Sequence, residues 1–270
     1  MAARSIMSWS AGNEQLLTQP NVRGYFLYMN TPAHQEDPSR LSALAERAQA
    51  PLPGLMDVYG LNEYWGWYDG TTADLAQWLA KQAPKMAITE YGAGASIYFH
   101  SEHPVVMDHT EEYQCLFHEA SWGVLKQHPE ICCTFIWNMF DFAVDKRAEG
   151  DHAGRNDKGL VTYDRKTRKD AFFFYKANWS DEPVMHINSK RFTVRGLQAI
   201  PIKVYANTPD VELFVNGQSL GKQSGTNAVF LWKNVPLKVG PNAVRAVGVH
   251  DGKQIADDCT WTYTPGAPQA

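Results

Sequence analysis

The sequence is short of several features that would narrow its function at once. Its longest apolar runs fall well below the roughly 20 residues a membrane-spanning helix needs, so a helical anchor is excluded as an organising feature. Basic residues are not in excess: 25 Lys and Arg face 29 Asp and Glu, a net charge of −4. A broad cationic face is therefore not expected, and neither nucleic acid nor a membrane surface is indicated as a partner. Four cysteines, Cys115, Cys132, Cys133 and Cys259, are too few and too scattered for a disulfide framework. Strand alternation would send adjacent Cys132 and Cys133 to opposite faces, so a chelating pair is not expected, and all four read as buried small apolar residues. No Gly-rich phosphate loop and no nucleophilic Ser elbow is present, which disfavours nucleotide and esterase chemistry. Residues Met1 to Ser5 open no apolar stretch of the kind a secretory signal requires, and nothing else points to a compartment.

Aromatic residues are plentiful, with 9 Trp, 12 Tyr and 12 Phe in 270 residues, concentrated before residue 180. Up to that point short apolar runs alternate with helical segments. Strands are expected at Ile6–Ser10, Leu41–Ala45 (where a helix fits equally well), Asp57–Tyr64, Met86–Thr89 and Ile131–Trp137. Leu16 to Ala33 reads as partly helical, and Thr71 or Thr72 offers an N-cap for a helix through Leu79. From His109 to Gln127, Tyr113, Leu116, Phe117, Ala120 and Val124 share one helical face before Pro129 stops the helix. Such alternation indicates a parallel α/β architecture. An eight-unit barrel takes about 250 residues, so residues 1–182 can supply only about five units, a partial (β/α)8 TIM barrel. After Glu182 the pattern becomes short alternating runs punctuated by Gly, Pro, Asn and Asp, with Asn216-Gly217 as a hairpin signal. Residues 183–270 are expected to form a small antiparallel, immunoglobulin-like β-sandwich.

Two carboxylates stand where strands meet loops: Glu14 in Trp9-Ser10-Ala11-Gly12-Asn13-Glu14, and Glu90 in Ile88-Thr89-Glu90-Tyr91-Gly92. In a parallel barrel the C-terminal strand ends share one mouth, where active sites lie. Glycoside hydrolysis needs two such groups, one to protonate the leaving oxygen and one to attack or to activate water. For a single Glu an exposed loop position is the simpler account; two in similar settings favour catalysis.

Five segments, in order, resemble the catalytic half of glycoside hydrolase family 2, which contains the β-galactosidases and β-glucuronidases. They are Trp-Ser-Ala-Gly-Asn-Glu (9–14), Gly-Leu-Asn-Glu-Tyr-Trp-Gly-Trp-Tyr (60–68), Thr-Glu-Tyr-Gly-Ala-Gly-Ala (89–95), Trp-Asn-Met-Phe-Asp-Phe (137–142) and Asn-Asp-Lys-Gly-Leu-Val-Thr-Tyr-Asp-Arg-Lys (156–166). The resemblance implies a retaining mechanism with Glu90 as nucleophile and Glu14 as acid/base, their carboxyl groups about 5–5.5 Å apart. It also implies that Asn13 binds the sugar 2-hydroxyl and that Tyr64 hydrogen-bonds the nucleophile, favouring its ionised form. The strands present correspond to the fourth to eighth of the barrel. The first three strands and the preceding β-domains have no counterpart here, so metal ligands from that region are not carried over and no cofactor is expected. Missing N-terminal domains or further copies of the chain are the expected protein partners.

Trp137, at the end of the last barrel strand, offers an apolar wall for a sugar face, with a core Trp as the alternative. Trp65, Trp67 and Tyr68 lie in a mouth loop, and Tyr68 falls close to a family sugar-pocket residue. Asn156 and Lys158 form the Asn-x-Lys pattern that binds the sugar carboxylate in β-glucuronidases, though many β-galactosidases have a similar segment, and a solvated turn would explain it too. Tyr-Gly-Ala-Gly-Ala-Ser (91–96) and Phe-Phe-Phe-Tyr-Lys-Ala-Asn-Trp (172–179) look more like the β-galactosidase branch, so terminal β-galactosides are the expected substrates, with β-glucuronides the alternative. A third reading is an inactive carbohydrate-binding or complementation module. His100, His103 and His109 match no strong zinc spacing and read as loop histidines. In the sandwich, exposed aromatics such as Trp232 or Trp261 could contact sugar, but packing is the expected role.

Overall fold

Short apolar runs ending in polar residues build the first half of the molecule. β1 (Ser8–Asn13), β2 (Leu41–Glu46), β3 (Val58–Asn62), β4 (Met86–Tyr91) and β5 (Ile131–Ile136) are parallel and pair in chain order. The computed structural model describes residues 6–15, 17–47, 54–82 and 86–267. The start of the first expected helix at Leu16 and the Met1 to Ser5 segment lie outside those residues. The chain divides into two compact units, Met1–Gly92 with Ala120–Asn138 and Ala93–Glu119 with Met139–Ala270. Consecutive parallel neighbours require a crossover between each pair of strands, and repeated right-handed crossovers curl such a sheet into a barrel arc. The five strands of the first unit are that arc, the partial barrel expected from the sequence.

α1 (Pro20–Glu36) begins with a proline in its first turn, where the missing N–H costs nothing. It buries Phe26 against Leu17, Leu44 and Leu55. α2 (Asp74–Leu79) is not capped by Thr71 or Thr72: Ala73 holds the N-cap position. Instead the backbone N–H and the hydroxyl of Thr71 both donate to Asp74 Oδ2 at 2.8 Å, an acceptor placed in the helix's own first turn. α3 (Glu111–Leu125) starts two residues later than the periodicity suggests.

Regular pairing is broken at three places in this sheet. In β1, Ala11 and Gly12 together oppose Leu44, because the pairs Ser10↔Ala43 and Asn13↔Ala45 flank them. In β4, Thr89 and Glu90 oppose the single residue Phe135 of β5, and β3 sees the same extra residue between Ile88 and Glu90. In β5, Cys132 and Cys133 oppose Ala87. A bulge of two residues against one bends its strand and re-aims the side chains beside it. Apolar as its run is, β5 buries only Ile131 among its residues, and it pairs with β4 alone among the described strands.

The second unit carries β6 (Phe142–Ala143), β7 (Arg155–Asn156), α4 (Asp170–Trp179) and a β-sandwich. β8 (Met185–Ile187), β9 (Val194–Arg195), β10 (Ala199–Ala206), β11 (Asp210–Val215), β12 (Gln218–Ser224), β13 (Val229–Pro236), β14 (Gly240–His250) and β15 (Lys253–Tyr263) form two sheets, ordered β13-β10-β8 and β12-β11-β14-β15-β9. Alternation sends Val211, Leu213 and Val215 inward with Ile202, Val204, Phe230 and Ala246. Trp232 and Trp261 belong to this core, 4% and 1% exposed, which corrects their reading as exposed aromatics. Asn216 and Gly217, at φ +53° and +80°, make the two-residue turn between β11 and β12 that their sequence signals. β8 and β12 carry no run of apolar alternation that would mark them in the sequence: the first has three residues, and the second, Gln-Ser-Leu-Gly-Lys-Gln-Ser, is almost wholly polar.

One buried charge network stitches this unit together. Arg191 Nε donates to Glu111 Oε2 at 2.6 Å, and its Nη2 lies 3.1 Å from Asp170 Oδ1. His186 Nε2 lies 2.9 Å from the same Asp170 oxygen. Glu111 is fully buried, and burial raises its pKa; the hydrogen bonds and charges of His186 and Arg191 outweigh burial at Asp170 and hold its carboxyl well below the usual range.

Candidate active site

The C-terminal ends of β1, β3 and β4 bring together Asn13, Glu14, Asn62, Tyr64 and Glu90. Glu90 is the penultimate residue of β4, inside the bulge, and is 9% exposed. Tyr64 follows β3, is 5% exposed, and donates its hydroxyl to Glu90 Oε2 at 2.7 Å. That bond and one from Asn62 lower the pKa of Glu90, but burial is the larger effect and the charge of Glu14 adds to it, so the net direction is upward. The tyrosine's preference for the ionised carboxylate is therefore real but outweighed by desolvation. Burial, and then the charge of Glu90, push the Tyr64 phenol the same way, keeping it a donor.

Glu14 leaves β1 with φ +50° just past the Ala11–Gly12 bulge, and its N–H donates to Ala45 O at 2.9 Å. Asn13 and Glu14 are both exposed, in contrast with buried Glu90. Gly12 has no room for a side chain, since a Cβ there would lie 2.9 Å from the Phe26 ring.

Asn62 links these groups, and the sequence reading did not single it out. It ends β3, is 1% exposed, and its Nδ2 donates to Asn13 Oδ1 and to Glu14 Oε1, both at 3.0 Å. Thr89 in the β4 bulge donates to Asn62 Oδ1 at 2.7 Å, fixing which end of the amide faces the carboxylates. The signal was available: a polar residue ending an apolar strand is the pattern that marked Glu14 and Glu90. Two further buried carboxylates, Glu46 at the end of β2 and Glu63 after β3, meet the same criterion. Burial raises the pKa of Glu46, and the charge of Glu14 adds to that.

Around this cluster, Tyr68 is half-buried, its ring centroid 5.2 Å from that of Tyr64. The Arg47 guanidinium sits 5.3 Å from the Tyr68 ring centroid and 3.2 Å from Asp69 Oδ2. Trp65 is half-buried, but Trp67 is 1% exposed and belongs to the core, so the loop is not uniformly a pocket wall. Trp137 is half-exposed just past β5, and its N–H donates to Tyr91 O at 2.8 Å. Gly92 permits this approach: a Cβ there would lie 2.0 Å from the Trp137 carbonyl oxygen.

Asn156 and Lys158 belong to the second unit. Both are buried, 3% and 1% exposed, so the solvated-turn account does not hold. Asn156 Oδ1 accepts the Lys158 N–H at 3.0 Å, and Lys158 Nζ lies 3.7 Å from Glu149 Oε2. In the same unit His100 stacks on Phe192 and lies 3.2 Å from Glu112, while His109 lies 2.6 Å from Asp157 Oδ2. Both rings are buried and paired rather than loose in a loop, and among the described residues no group of three His, Cys, Asp or Glu could hold a metal ion.

Residues 3–187 match the model of the glycosyl hydrolases family 2 TIM barrel domain, and residues 198–256 match a domain of unknown function, DUF4982. A β-glucuronidase of Bacteroides fragilis is 39% identical over 98% of the chain, which spans 40% of that relative. A solved Bacteroides fragilis structure assigned to a β-galactosidase is 34% identical, with a TM-score of 0.90 over 97% of this chain and 41% of its own. The structure of Bacteroides uniformis β-glucuronidase 2 covalently bound to cyclophellitol-6-carboxylate aziridine is 32% identical, with a TM-score of 0.83 over 96% of this chain and 34% of its own. The chain thus spans about two fifths of the length of two curated β-glucuronidase-named relatives that it matches over nearly its whole length. With the barrel model matched over most of the chain and five parallel strands in barrel order, the chain belongs to glycoside hydrolase family 2.

Proposed function

We propose that this chain carries the catalytic centre of a retaining exo-β-glycosidase, with Glu90 as nucleophile, Glu14 as acid/base and terminal β-glucuronides as substrates. The observation that carries the reading is the placement of one exposed carboxylate at the end of β1 and one buried carboxylate at the end of β4, both reached by the Asn62 amide of β3, which lies between those strands in the sheet. In the first step Glu14 gives its proton to the glycosidic oxygen as a Glu90 oxygen bonds the anomeric carbon and the leaving group departs. Glu90 is then an ester and uncharged, so Glu14 takes a proton from water, which attacks the anomeric carbon and releases Glu90. Tyr64 holds Glu90 in position for attack and stabilises it as the leaving carboxylate. Asn62 holds Asn13 by its carbonyl oxygen, which turns the amide donor of Asn13 toward the sugar 2-hydroxyl. Trp137 and Tyr68 supply apolar faces to the sugar ring.

Two observations favour a glucuronide. The Asn-x-Lys pattern of Asn156 and Lys158 resembles the one that binds the sugar carboxylate in β-glucuronidases. The relative matched over nearly the whole chain is named a β-glucuronidase, and the Bacteroides uniformis enzyme holds a carboxylate-bearing cyclophellitol covalently. The β-galactoside reading of the sequence is the second one, supported by Tyr-Gly-Ala-Gly-Ala-Ser after Glu90 and by the Bacteroides fragilis structure assigned to a β-galactosidase. Nitrophenyl β-glucuronide and β-galactoside offered to the purified protein separate the two: faster glucuronide turnover, abolished in Glu90→Gln, is expected. Faster galactoside turnover selects the second reading. Hydrolysis that survives Glu90→Gln overturns the mechanism, and sugar binding with no turnover of either substrate supports the inactive-module reading.

A further inference from the structure

Adjacent residues of a regular strand point to opposite faces, so Cys132 and Cys133 should be unable to act together. In β5 they do not behave this way: their sulfurs are 3.7 Å apart, with Cys132 exposed and Cys133 half-buried. The pairing register explains why. Ile131 lies opposite Met86 and Thr134 opposite Ile88, so both cysteines share the place across from Ala87. A bulge of two residues against one cancels the alternation locally and lets consecutive side chains turn the same way.

The pair is poorly suited to closing on itself. Consecutive Cα atoms are about 3.8 Å apart across a trans peptide, below the roughly 4.4 Å at which disulfide-linked Cα pairs begin. Burial, and then the neighbouring Cys132 thiol, push the Cys133 thiol up to about 12, so at neutral pH it keeps its proton and is a weak nucleophile toward disulfides. A single atom bonded to both sulfurs avoids this strain, because it closes a larger ring and lets them stay further apart than the ~2.05 Å of an S–S bond.

We propose that Cys132 and Cys133 form a dithiol site for a trivalent thiophilic centre, of which an organoarsenic(III) oxide is the chemical class. Two As–S bonds form and the arsenic–oxygen bond breaks. Both thiol protons leave with that oxygen as water, arsenic remains trivalent, and no oxidant or reductant takes part. The site lies in the first unit and does not depend on the glycosidase reading. Cys115, buried, and Cys259, half-buried, lie in the second unit and are not part of it.

Intact-mass measurement of the purified chain, treated with phenylarsine oxide in excess 2-mercaptoethanol, tests this. One adduct per chain is expected, heavier by phenylarsine oxide less one water, resistant to the monothiol and removed by 2,3-dimercaptopropanol. Cys132→Ser and Cys133→Ser should each lose it, the first while keeping the parent melting temperature. Cys132 is an exposed residue, so its folded variant decides the matter even if Cys133→Ser is less stable. An adduct retained by folded Cys132→Ser, or one stripped by 2-mercaptoethanol alone, overturns the proposal.

Discussion

Replacing Tyr64 by Phe removes one oxygen from a buried pair and leaves Glu90 Oε2 without its 2.7 Å partner. An O–H donor this close to a carboxylate makes a charge-assisted bond, worth roughly 1.5–3 kcal/mol when the acceptor is ionised against about 0.5–1.5 kcal/mol between neutral groups. The difference, about 1–1.5 kcal/mol, corresponds to roughly one pH unit in the titration of Glu90. Because burial already holds the folded-state pKa of Glu90 above its unfolded value, the folded chain binds this proton more tightly. The contribution of Glu90 to stability is therefore complete below its unfolded pKa and is lost as pH rises through its folded one. Tyr64→Phe lifts the folded value further, so its destabilisation should be smallest in acid and grow by about 1 kcal/mol as Glu90 ionises. Urea unfolding over about pH 4–8, where the protein stays folded, reads this directly, with the same pair of measurements in a Glu90→Gln background closing a double-mutant cycle. In that background the pH-dependent part should vanish. A Tyr64→Phe penalty of the same size at every pH, or one that shrinks as pH rises, would refute the account of how Tyr64 acts on Glu90.

Glu90→Gln keeps an acceptor for Tyr64 but removes a buried charge, so it should raise stability at neutral pH by roughly 0.5–2 kcal/mol, read by denaturant midpoint. Asn62→Ala takes the shared donor from Asn13 and Glu14 and leaves the Thr89 hydroxyl without its acceptor; a loss of about 10–100-fold in kcat/KM on the preferred nitrophenyl glycoside is expected. Arg191→Ala strands the fully buried Glu111 carboxylate and should cost about 3–5 kcal/mol of unfolding free energy. Gly92→Ala sets a methyl against the Trp137 carbonyl and should cost about 1–3 kcal/mol, seen as a fall in melting temperature.

Strand and helix order was legible because it depends on local periodicity. All five barrel strands lie where apolar runs stood, though β1 begins two residues late and β4 extends through Glu90 to Tyr91. The turn at Asn216-Gly217 was legible for the same reason, since positive φ at two residues is a local demand. The motifs that placed Glu14 and Glu90 at strand ends were equally local.

What a strand faces is set by its partners. Trp67, Trp232 and Trp261 became core residues because other segments cover them, and the cysteine pair met across Ala87 because β4 and β5 keep different counts between two matched pairs. The same holds where Glu14 and Glu90 turn: each follows or sits in a bulge, and a bulge exists only as a mismatch between two strands distant in sequence. Residue identity and spacing thus decided the order of elements, the family and the candidate carboxylates. Register and burial, which depend on neighbours far along the chain, decided that Asn62 joins those carboxylates and that desolvation outweighs Tyr64 at Glu90.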